Sequence, residues 1–205
     1  MADEHTIEPT RTRDAERTRA AILDAGADAF LEHGYRGASI RKVAERAGVT
    51  HGTIYLYFRD KDDLLYQLSK EHFRGLLTRL RAIPRTLDPV ARIREAFHMV
   101  VTYGLDAPEH YHLMLSMRPP HSTCTDERSL TPMAQEIYSF LFDTISYAAD
   151  RSLIGSGHVA RDAWGLLAAA HGIVELHRAG TTERDDALAA ADRLVDVLVS
   201  GLRAS

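Results

Sequence analysis

The segment 39–61, SIRKVAERAGVTHGTIYLYFRDK, constrains the fold most because it predicts two short helices joined by a tight turn. Ser39 is a favourable N-cap for the first helix, and Gly48 permits the left-handed conformation that commonly ends a helix. Thr50 is a favourable N-cap for the second helix. The first helix has one apolar face at helical spacing, formed by Ile40, Val43, Ala44 and Ala47. The sequence therefore predicts a helix, a turn and a second helix.

The second helix leaves hydroxyl, imidazole and aromatic side chains on its outer surface. Ile54 and Phe58 are four residues apart and face inward together. The residues left outside are Thr50, His51, Gly52, Thr53, Tyr55 and Tyr57. Exposed aromatic side chains on so short a helix indicate a surface that binds something.

Double-stranded DNA suits these side chains. The first residues of a recognition helix meet base edges in the major groove, where hydroxyl and imidazole groups donate and accept hydrogen bonds. Thr50, His51 and Thr53 match that chemistry, and Gly52 allows the backbone to approach closely. The hydroxyls of the two tyrosines are long enough to reach phosphates.

Basic residues flank this helix. Arg41 and Lys42 face outward on the first helix, and Lys61 begins the next one, where its ammonium and the backbone N–H groups favour a phosphate. The alternative is that both tyrosines pack partly inside the domain and that the two basic residues form only a solvated helix face. The predicted DNA-binding residues are Ser39, Arg41, Lys42, Thr50, His51, Gly52, Thr53, Tyr55, Tyr57 and Lys61.

The stretch 18–68 resembles the DNA-binding domain of the TetR family of transcriptional regulators. The resemblance rests on the AGV turn, the segment GTIYLYF and the lysine that follows. It implies a first helix over about 17–33 that is ended by Gly34, and a pair of reading helices over 39–46 and 50–56. The core residues that it implies for the first helix are Ile22, Leu23, Phe30 and Leu31. We expect a flexible tail over 1–13, the DNA-binding domain over 14–60, and a ligand-binding and dimerisation domain over 61–205.

Charge is distributed unevenly along the chain. The formal net charge is −4, yet residues 36–61 contain six basic and two acidic residues, so this segment carries +4 and the remainder −8. A local basic patch on an acidic protein favours site-specific contact with DNA over indiscriminate wrapping.

The single cysteine, Cys124, excludes an internal disulfide, and no segment resembles a signal peptide or is apolar for long enough to span a bilayer. We therefore expect a cytoplasmic protein without a cofactor.

The motifs HExxH, CxxC and GxSxG of common enzymes are missing, which argues against catalysis. Histidines near Cys124, among them His110, His112 and His121, keep a metal-responsive regulator open as an alternative.

The rest of the chain predicts further helices separated by proline and glycine, without strand-like alternation. The expected fold class is all-α with about nine helices. The later helices are expected over 61–83, 89–104, 108–117, 132–154, 158–178 and 184–202.

The last two helices are rich in small and aliphatic residues, which indicates partners on more than one side. The family resemblance implies that they form a four-helix dimer interface, and Trp164 with the pair 171–172 resembles a C-terminal subtype of the family. The alternative is the ordinary core of a monomer. A dimer reads half-sites about 34–36 Å apart, so the operator is expected to be palindromic. The predicted interface residues are Leu166, Ala170, Ile173, Leu194 and Leu198.

The resemblance also implies a ligand cavity between the fourth helix and the dimer pair. Methionine and aromatic side chains suit a cavity for a largely apolar molecule, although each is also common in an ordinary core. The predicted lining is Phe97, His98, Met114, Met117, Tyr138, Phe142, Trp164 and His171. The expected function is a homodimeric repressor released from DNA by a small molecule. A metal-responsive or partner-responsive regulator, or an activator, stays open as the alternative.

Overall fold

The computed structural model describes residues 8–116, 132–155 and 157–204. Within these ranges the chain forms nine α-helices and no strand, so the predicted all-α class is confirmed. The helices are α1 (Glu8–Gly37), α2 (Ile40–Ala47), α3 (His51–Tyr57), α4 (Lys61–Arg81), α5 (Pro89–Asp106), α6 (Pro108–Ser116), α7 (Pro132–Asp150), α8 (Val159–Arg178) and α9 (Arg184–Ala204).

The turn between α2 and α3 is fixed by local hydrogen bonds. The Ser39 hydroxyl accepts from the Lys42 N–H at 3.3 Å, and the Thr50 hydroxyl accepts from the Thr53 N–H at 3.1 Å. Gly48 has the left-handed conformation with φ 67°, and its N–H donates to the Glu45 carbonyl. Both N-caps and the glycine stop are therefore present as predicted.

The first helix begins earlier and ends later than the sequence predicts. Gly34 has φ 65° and ψ 175°, which kinks the helix, and helical turns resume as far as Gly37. Residues 8–13, assigned from sequence to a tail, lie in the first turns of α1. They have no apolar periodicity to reveal a helix. Extending an existing helix nevertheless costs less free energy than nucleating a new one, so these polar residues are added to the N-terminal end of α1.

The described chain divides into two compact units whose boundaries fall inside α4 and α6. The first comprises residues 8–70 and 113–116, and the second comprises 71–112, 132–155 and 157–204. The predicted boundary at the start of α4 stays a prediction, since these units divide that helix. The largest buried side chains of the first unit are Ile22, Phe30, Ile54, Phe58, Leu64, Leu65 and Leu113.

In the second unit α5 packs against α7, α8 and α9, and α8 also packs against α7 and α9. The buried face of α5 includes Ile93, Phe97, Val100 and Val101. Gly104 marks the closest approach to α8, because a Cβ at this position would lie 2.5 Å from Val174 Cγ2. None of the described helices is long and apolar enough to cross a membrane.

Candidate functional site

Helix α3 presents an exposed surface of mixed chemistry. His51 and Gly52 are exposed, and the His51 ring makes an edge-to-face contact with the Tyr55 ring at 5.1 Å between centroids. The Tyr55 side chain is 50% exposed and has no core role. Thr53 is half-buried, and its hydroxyl lies 2.7 Å from the Thr50 hydroxyl. The imidazole and both hydroxyls thus lie at the start of α3.

Tyr57 and Leu56 occupy contrasting positions at the end of α3. Tyr57 is half-buried and packs against the core of the first unit, as the alternative interpretation describes. Leu56 is 82% exposed and is absent from the predicted surface. Its position two residues after the buried Ile54 places it on the outer side of the helix, which is the sequence signal that points to it.

The basic residues of α2 are already partly engaged. Arg41 Nε lies 2.9 Å from Glu45 Oε1, and Lys42 Nζ lies 3.2 Å from the Gly37 carbonyl. Both side chains are exposed. A groove of about 410 Å³ between α2 and α3 is lined by Arg41, Ala44, Glu45, Val49 and His51. The structure therefore brings Arg41 and His51 to one concave surface.

Arg46 faces α1 instead. Its guanidinium lies 2.6 Å from Glu32 Oε1 and 3.6 Å from Asp28 Oδ2. The hydrogen bond from Arg46 lowers the pKa of the exposed Glu32 carboxyl. These contacts join α1 to α2 through exposed side chains, where each ion pair contributes little to stability.

Lys61 is held by the protein itself. Its ammonium donates to the carbonyls of Tyr35 and Ala38 at 2.8 and 3.1 Å. The first turn of α4 also contains Asp62 and Asp63, and Asp60 Oδ1, just before the helix, accepts from the Asp63 N–H at 2.8 Å. That hydrogen bond lowers the pKa of Asp60. A phosphate at this helix end would meet the carboxylates of Asp60, Asp62 and Asp63, so the predicted contact through Lys61 stays a prediction and depends on its third N–H donor.

The described members of the predicted ligand set have different surroundings, and the set as a whole stays a prediction. Phe97 is 2% exposed and belongs to the core, while His98 faces α9 with Nε2 3.6 Å from Asp192. Tyr138 is central to an aromatic group on α7 and α8, with ring centroids 6.4 Å from Phe142 and 5.0 Å from Trp164. Met117 and the side chain of Met114 lie outside the described residues.

His171 is engaged inside the second unit. The Tyr111 hydroxyl on α6 hydrogen-bonds His171 Nδ1, and the two rings meet edge to face. Burial lowers the pKa of His171 to about 4, with Glu175 acting in the opposite direction. Burial also raises the pKa of Tyr111. Both groups are therefore neutral near pH 7, and the tautomer of His171 sets which of them donates the hydrogen bond.

Glu175 extends this network. It accepts from His112 Nδ1 at 3.0 Å and from Arg178 at 2.9 Å. Burial raises the pKa of Glu175, but its hydrogen bonds and charged neighbours outweigh that effect, so the net shift is downward. Arg178 also approaches Glu109 at 3.8 Å. The network ties α6 to α8 within the second unit.

A groove of the second unit lies along α7. Its volume is about 1050 Å³, and of the predicted ligand residues Tyr138 lines it. Its charged lining comprises Arg81, Arg85, Arg92, Glu136 and Asp143, and its larger apolar side chains are Leu77, Phe140 and Tyr147. Arginines at this position were not part of the predicted site, because the groove is built from separate segments of the chain that only the fold brings together.

The predicted interface residues on α8 point inward. Leu166, Ala170 and Ile173 are 2%, 1% and 8% exposed, so these three pack inside the protomer. Leu194 and Leu198 on α9 are half-buried. The outer apolar surface of this pair, which we call the α8–α9 stripe, comprises Trp164, Ala168, Gly172, Leu176, Ala190, Leu194, Val197 and Gly201.

Among the described residues, no three His, Cys, Asp or Glu side chains are grouped so as to hold a metal ion. His121 and Cys124, which carried the metal alternative, lie outside those residues. That alternative therefore stays a hypothesis.

Two family profiles match the chain. The profile described as bacterial regulatory proteins of the tetR family matches residues 22–68. The profile described as the tetracyclin repressor-like C-terminal domain matches residues 93–202, which is more than half of the chain. Together they cover both units of the structure.

Curated relatives match over about half of their length. The fatty acid metabolism regulator protein of Bacillus subtilis is 34% identical over 91 residues, which is 43% of this chain and 45% of the relative. The transcriptional repressor KstR2 of Mycobacterium tuberculosis is 30% identical over 95 residues, 46% of each chain. The chain thus spans about half the length of the curated relatives that it matches.

Solved structures match over nearly the whole chain. The fatty acid degradation regulator FadR from Bacillus halodurans has a TM-score of 0.71 at 20% identity, covering 90% of this chain and 96% of its own. FadR from Bacillus subtilis in complex with stearoyl-CoA has a TM-score of 0.71 at 22% identity, covering 89% and 98%. At these identities the likeness shows the shared fold.

Proposed function

The chain belongs to the TetR family of bacterial regulatory proteins, and from that premise we propose that it is a cytoplasmic transcriptional repressor. In this proposal it binds a palindromic operator as a homodimer and is released by a small, largely apolar ligand. The observation that carries the proposal is the exposed face of α3, where His51 and Tyr55 lie beside the Thr50 and Thr53 hydroxyls.

Contacts to DNA are divided between bases and phosphates. His51 and the two threonine hydroxyls are placed at the N-terminal end of α3, from which recognition helices read base edges. Tyr55 and Arg41 are both exposed and suit phosphates. Leu56 joins this surface, because an exposed aliphatic group at a DNA interface suits the methyl group of thymine.

The α8–α9 stripe is the proposed dimer interface. Trp164, Leu176 and Val197 are 47%, 52% and 48% exposed on this surface. Large apolar side chains exposed together on one surface are typical of a protein–protein interface. A Cβ on Gly172 or Gly201 would meet no heavy atom within 4 Å. Open glycines among large apolar side chains allow the helices of a second copy to approach closely.

Ligand release follows from two-state coupling. A ligand that binds more tightly to the conformation with mismatched half-site spacing shifts the dimer away from the operator. Coupling of about 1–3 kcal/mol, which is typical, reduces operator affinity about ten- to hundredfold. Relatives and solved structures named as fatty acid regulators support a ligand with a long apolar chain.

The proposal is tested by footprinting the purified protein on the DNA that flanks its own gene, at a stated salt concentration near the physiological one. A protected palindrome that is lost when a long-chain apolar ligand is added supports a ligand-released repressor. Protection of a single half-site contradicts the dimer, and protection that strengthens with the ligand favours the alternative of an activator or a co-repressed regulator.

A further inference from the structure

The groove along α7 contains more positive charge than its own acidic residues neutralise. Arg81 and Glu136 form an ion pair at 3.0 Å. The charged residues left in the lining are Arg85, Arg92 and Asp143. None of these three has an ion pair within the described ranges, so two guanidinium groups face one carboxylate.

Arg92 is the most unusual of these residues. Its Nε is buried and has no hydrogen-bond partner in the described part of the chain. Its guanidinium lies 5.2 Å from the centre of the Phe140 ring, which also lines the groove. A buried, charged donor without an acceptor is costly, and such an atom in a native protein is satisfied by water, by an ion or by a bound ligand.

The apolar part of the groove begins at the same place. Phe140 both stacks with Arg92 and lines the groove, and Tyr147 lies about 10 Å further along α7. Tyr138 lines the groove and continues into the aromatic group with Phe142 and Trp164. Arginine side chains and aromatic rings therefore line the same cavity of about 1050 Å³.

We propose that this groove binds an amphipathic organic anion, whose carboxylate or phosphate head is held by Arg85 and Arg92 and whose apolar chain lies along Phe140 and Tyr147. The proposal rests on the proposed function, since it names the chemical class of the releasing ligand. Guanidinium groups suit both heads because their N–H donors match two oxygens at once.

Calorimetry on the full chain without DNA tests this proposal. The probes are dodecanoate, dodecanol, dodecanoyl-coenzyme A and coenzyme A. Dodecanoate is expected to bind about tenfold more tightly than dodecanol, because a charged hydrogen-bonded pair typically adds that much. Dodecanoyl-coenzyme A binding without dodecanoate binding assigns the head as phosphate, and the reverse assigns a carboxylate.

Substitutions locate the anion. Arg85→Met and Arg92→Met are each expected to lower the affinity for the anion about tenfold. Asp143→Asn is expected to raise that affinity, because a carboxylate that repels the anion is lost. The matched control is Arg74→Met, since Arg74 is an exposed arginine of α4 that does not line the groove. Circular dichroism checks that each variant is folded. If Arg92→Met does not fold, Arg92→Lys replaces it in the binding experiment.

Three results overturn the anion site. They are equal binding of dodecanol and dodecanoate, unchanged anion binding in both arginine variants, and no binding of either anion. These outcomes are independent of the footprint. If the protein protects an operator and dodecanol releases it, the repressor proposal stands and the anion site is wrong. If the protein binds the anion but protects no DNA, only the repressor proposal is wrong.

Discussion

The Lys61 ammonium lies 2.8 Å from the Tyr35 carbonyl oxygen and 4.2 Å from the centre of the Tyr35 ring. The Tyr35 hydroxyl in turn hydrogen-bonds Asp62, the residue after Lys61. Lys61 therefore contacts the end of α1, Tyr35 contacts the start of α4, and these contacts hold the two helix ends together. A lysine that the sequence assigns to DNA thus also has a structural role.

Lys61→Met is expected to lower the free energy of unfolding by about 1–3 kcal/mol, because two hydrogen bonds from a charged donor and a ring contact are lost. Urea denaturation followed by circular dichroism measures this. Lys42→Met is the control, since its ammonium has one exposed hydrogen bond to Gly37. If Lys61→Met weakens DNA binding and leaves unfolding unchanged, the structural role is wrong and the phosphate contact alone is supported.

Tyr55→Phe removes only the exposed hydroxyl and is expected to weaken operator binding about tenfold, the usual effect of losing one hydrogen bond to a charged group. Fluorescence anisotropy at fixed salt gives the affinity. Tyr66→Phe is the matched control, because Tyr66 is also exposed but lies on α4. Equal affinity of the two variants would remove Tyr55 from the DNA surface.

His51→Ala is expected to relax preference at one operator position, whereas a phosphate contact would weaken all sequences alike. Binding to a set of operators with single base-pair changes separates the two outcomes. A uniform loss across the set would reassign His51 from bases to the backbone.

The turn chemistry of residues 39–61 was predictable because caps, glycine stops and helical periodicity act over a few residues. The partners of Lys61 were not, since Tyr35 is 26 positions away and only the tertiary fold brings it near. On α8 apolar residues occur on both sides of the helix. Periodicity therefore could not tell that Leu166 packs inward and Leu176 faces outward. The arginine groove escaped prediction because separate segments of the chain build it.

Leu176→Asp and Val197→Asp are each expected to dissociate the dimer, because a carboxylate would be buried without a partner in the α8–α9 stripe. Light scattering at micromolar protein concentration gives the mass. Leu153→Asp is the control, an exposed leucine that lies on neither helix. A dimer that persists in both variants would place the interface on another surface.

Gly104→Ala is expected to destabilise the protein by about 1–3 kcal/mol, the usual cost of overpacking, since the added Cβ would lie 2.5 Å from Val174 Cγ2. A double-mutant cycle with Val174→Ala tests the contact. The two substitutions together should cost less than the sum of their separate costs. If the costs of the two substitutions are additive, the added methyl group does not contact Val174.

The buried imidazole of His171 predicts a loss of stability in acid. Its pKa is about 4 in the folded protein and about 6.5 in an unfolded chain, so the unfolded state binds more protons between these values. The free energy of unfolding should therefore fall by up to about 1 kcal/mol per pH unit as the pH drops from 6.5 to 4. Urea denaturation at several pH values measures the slope.

His171→Gln should reduce that slope while keeping a polar partner for Tyr111. The carboxyl of Glu175 has a lowered pKa, and its own contribution is lost only as the pH falls below the usual carboxylate range. A wild-type slope that persists in the variant above pH 5 would assign the acid sensitivity to another group.

The pairing of Arg41 with Glu45 on α2 bears on how the protein searches a chromosome. A guanidinium that a carboxylate already neutralises displaces few counterions when it meets a phosphate, so it adds little to binding on unrelated sequence. If α3 reads bases as proposed, residence at unrelated sequence is expected to be short, and the time spent at a matching site is expected to depend on those base contacts. The acidic neighbour therefore favours rapid sampling of the genome over tight adhesion to it.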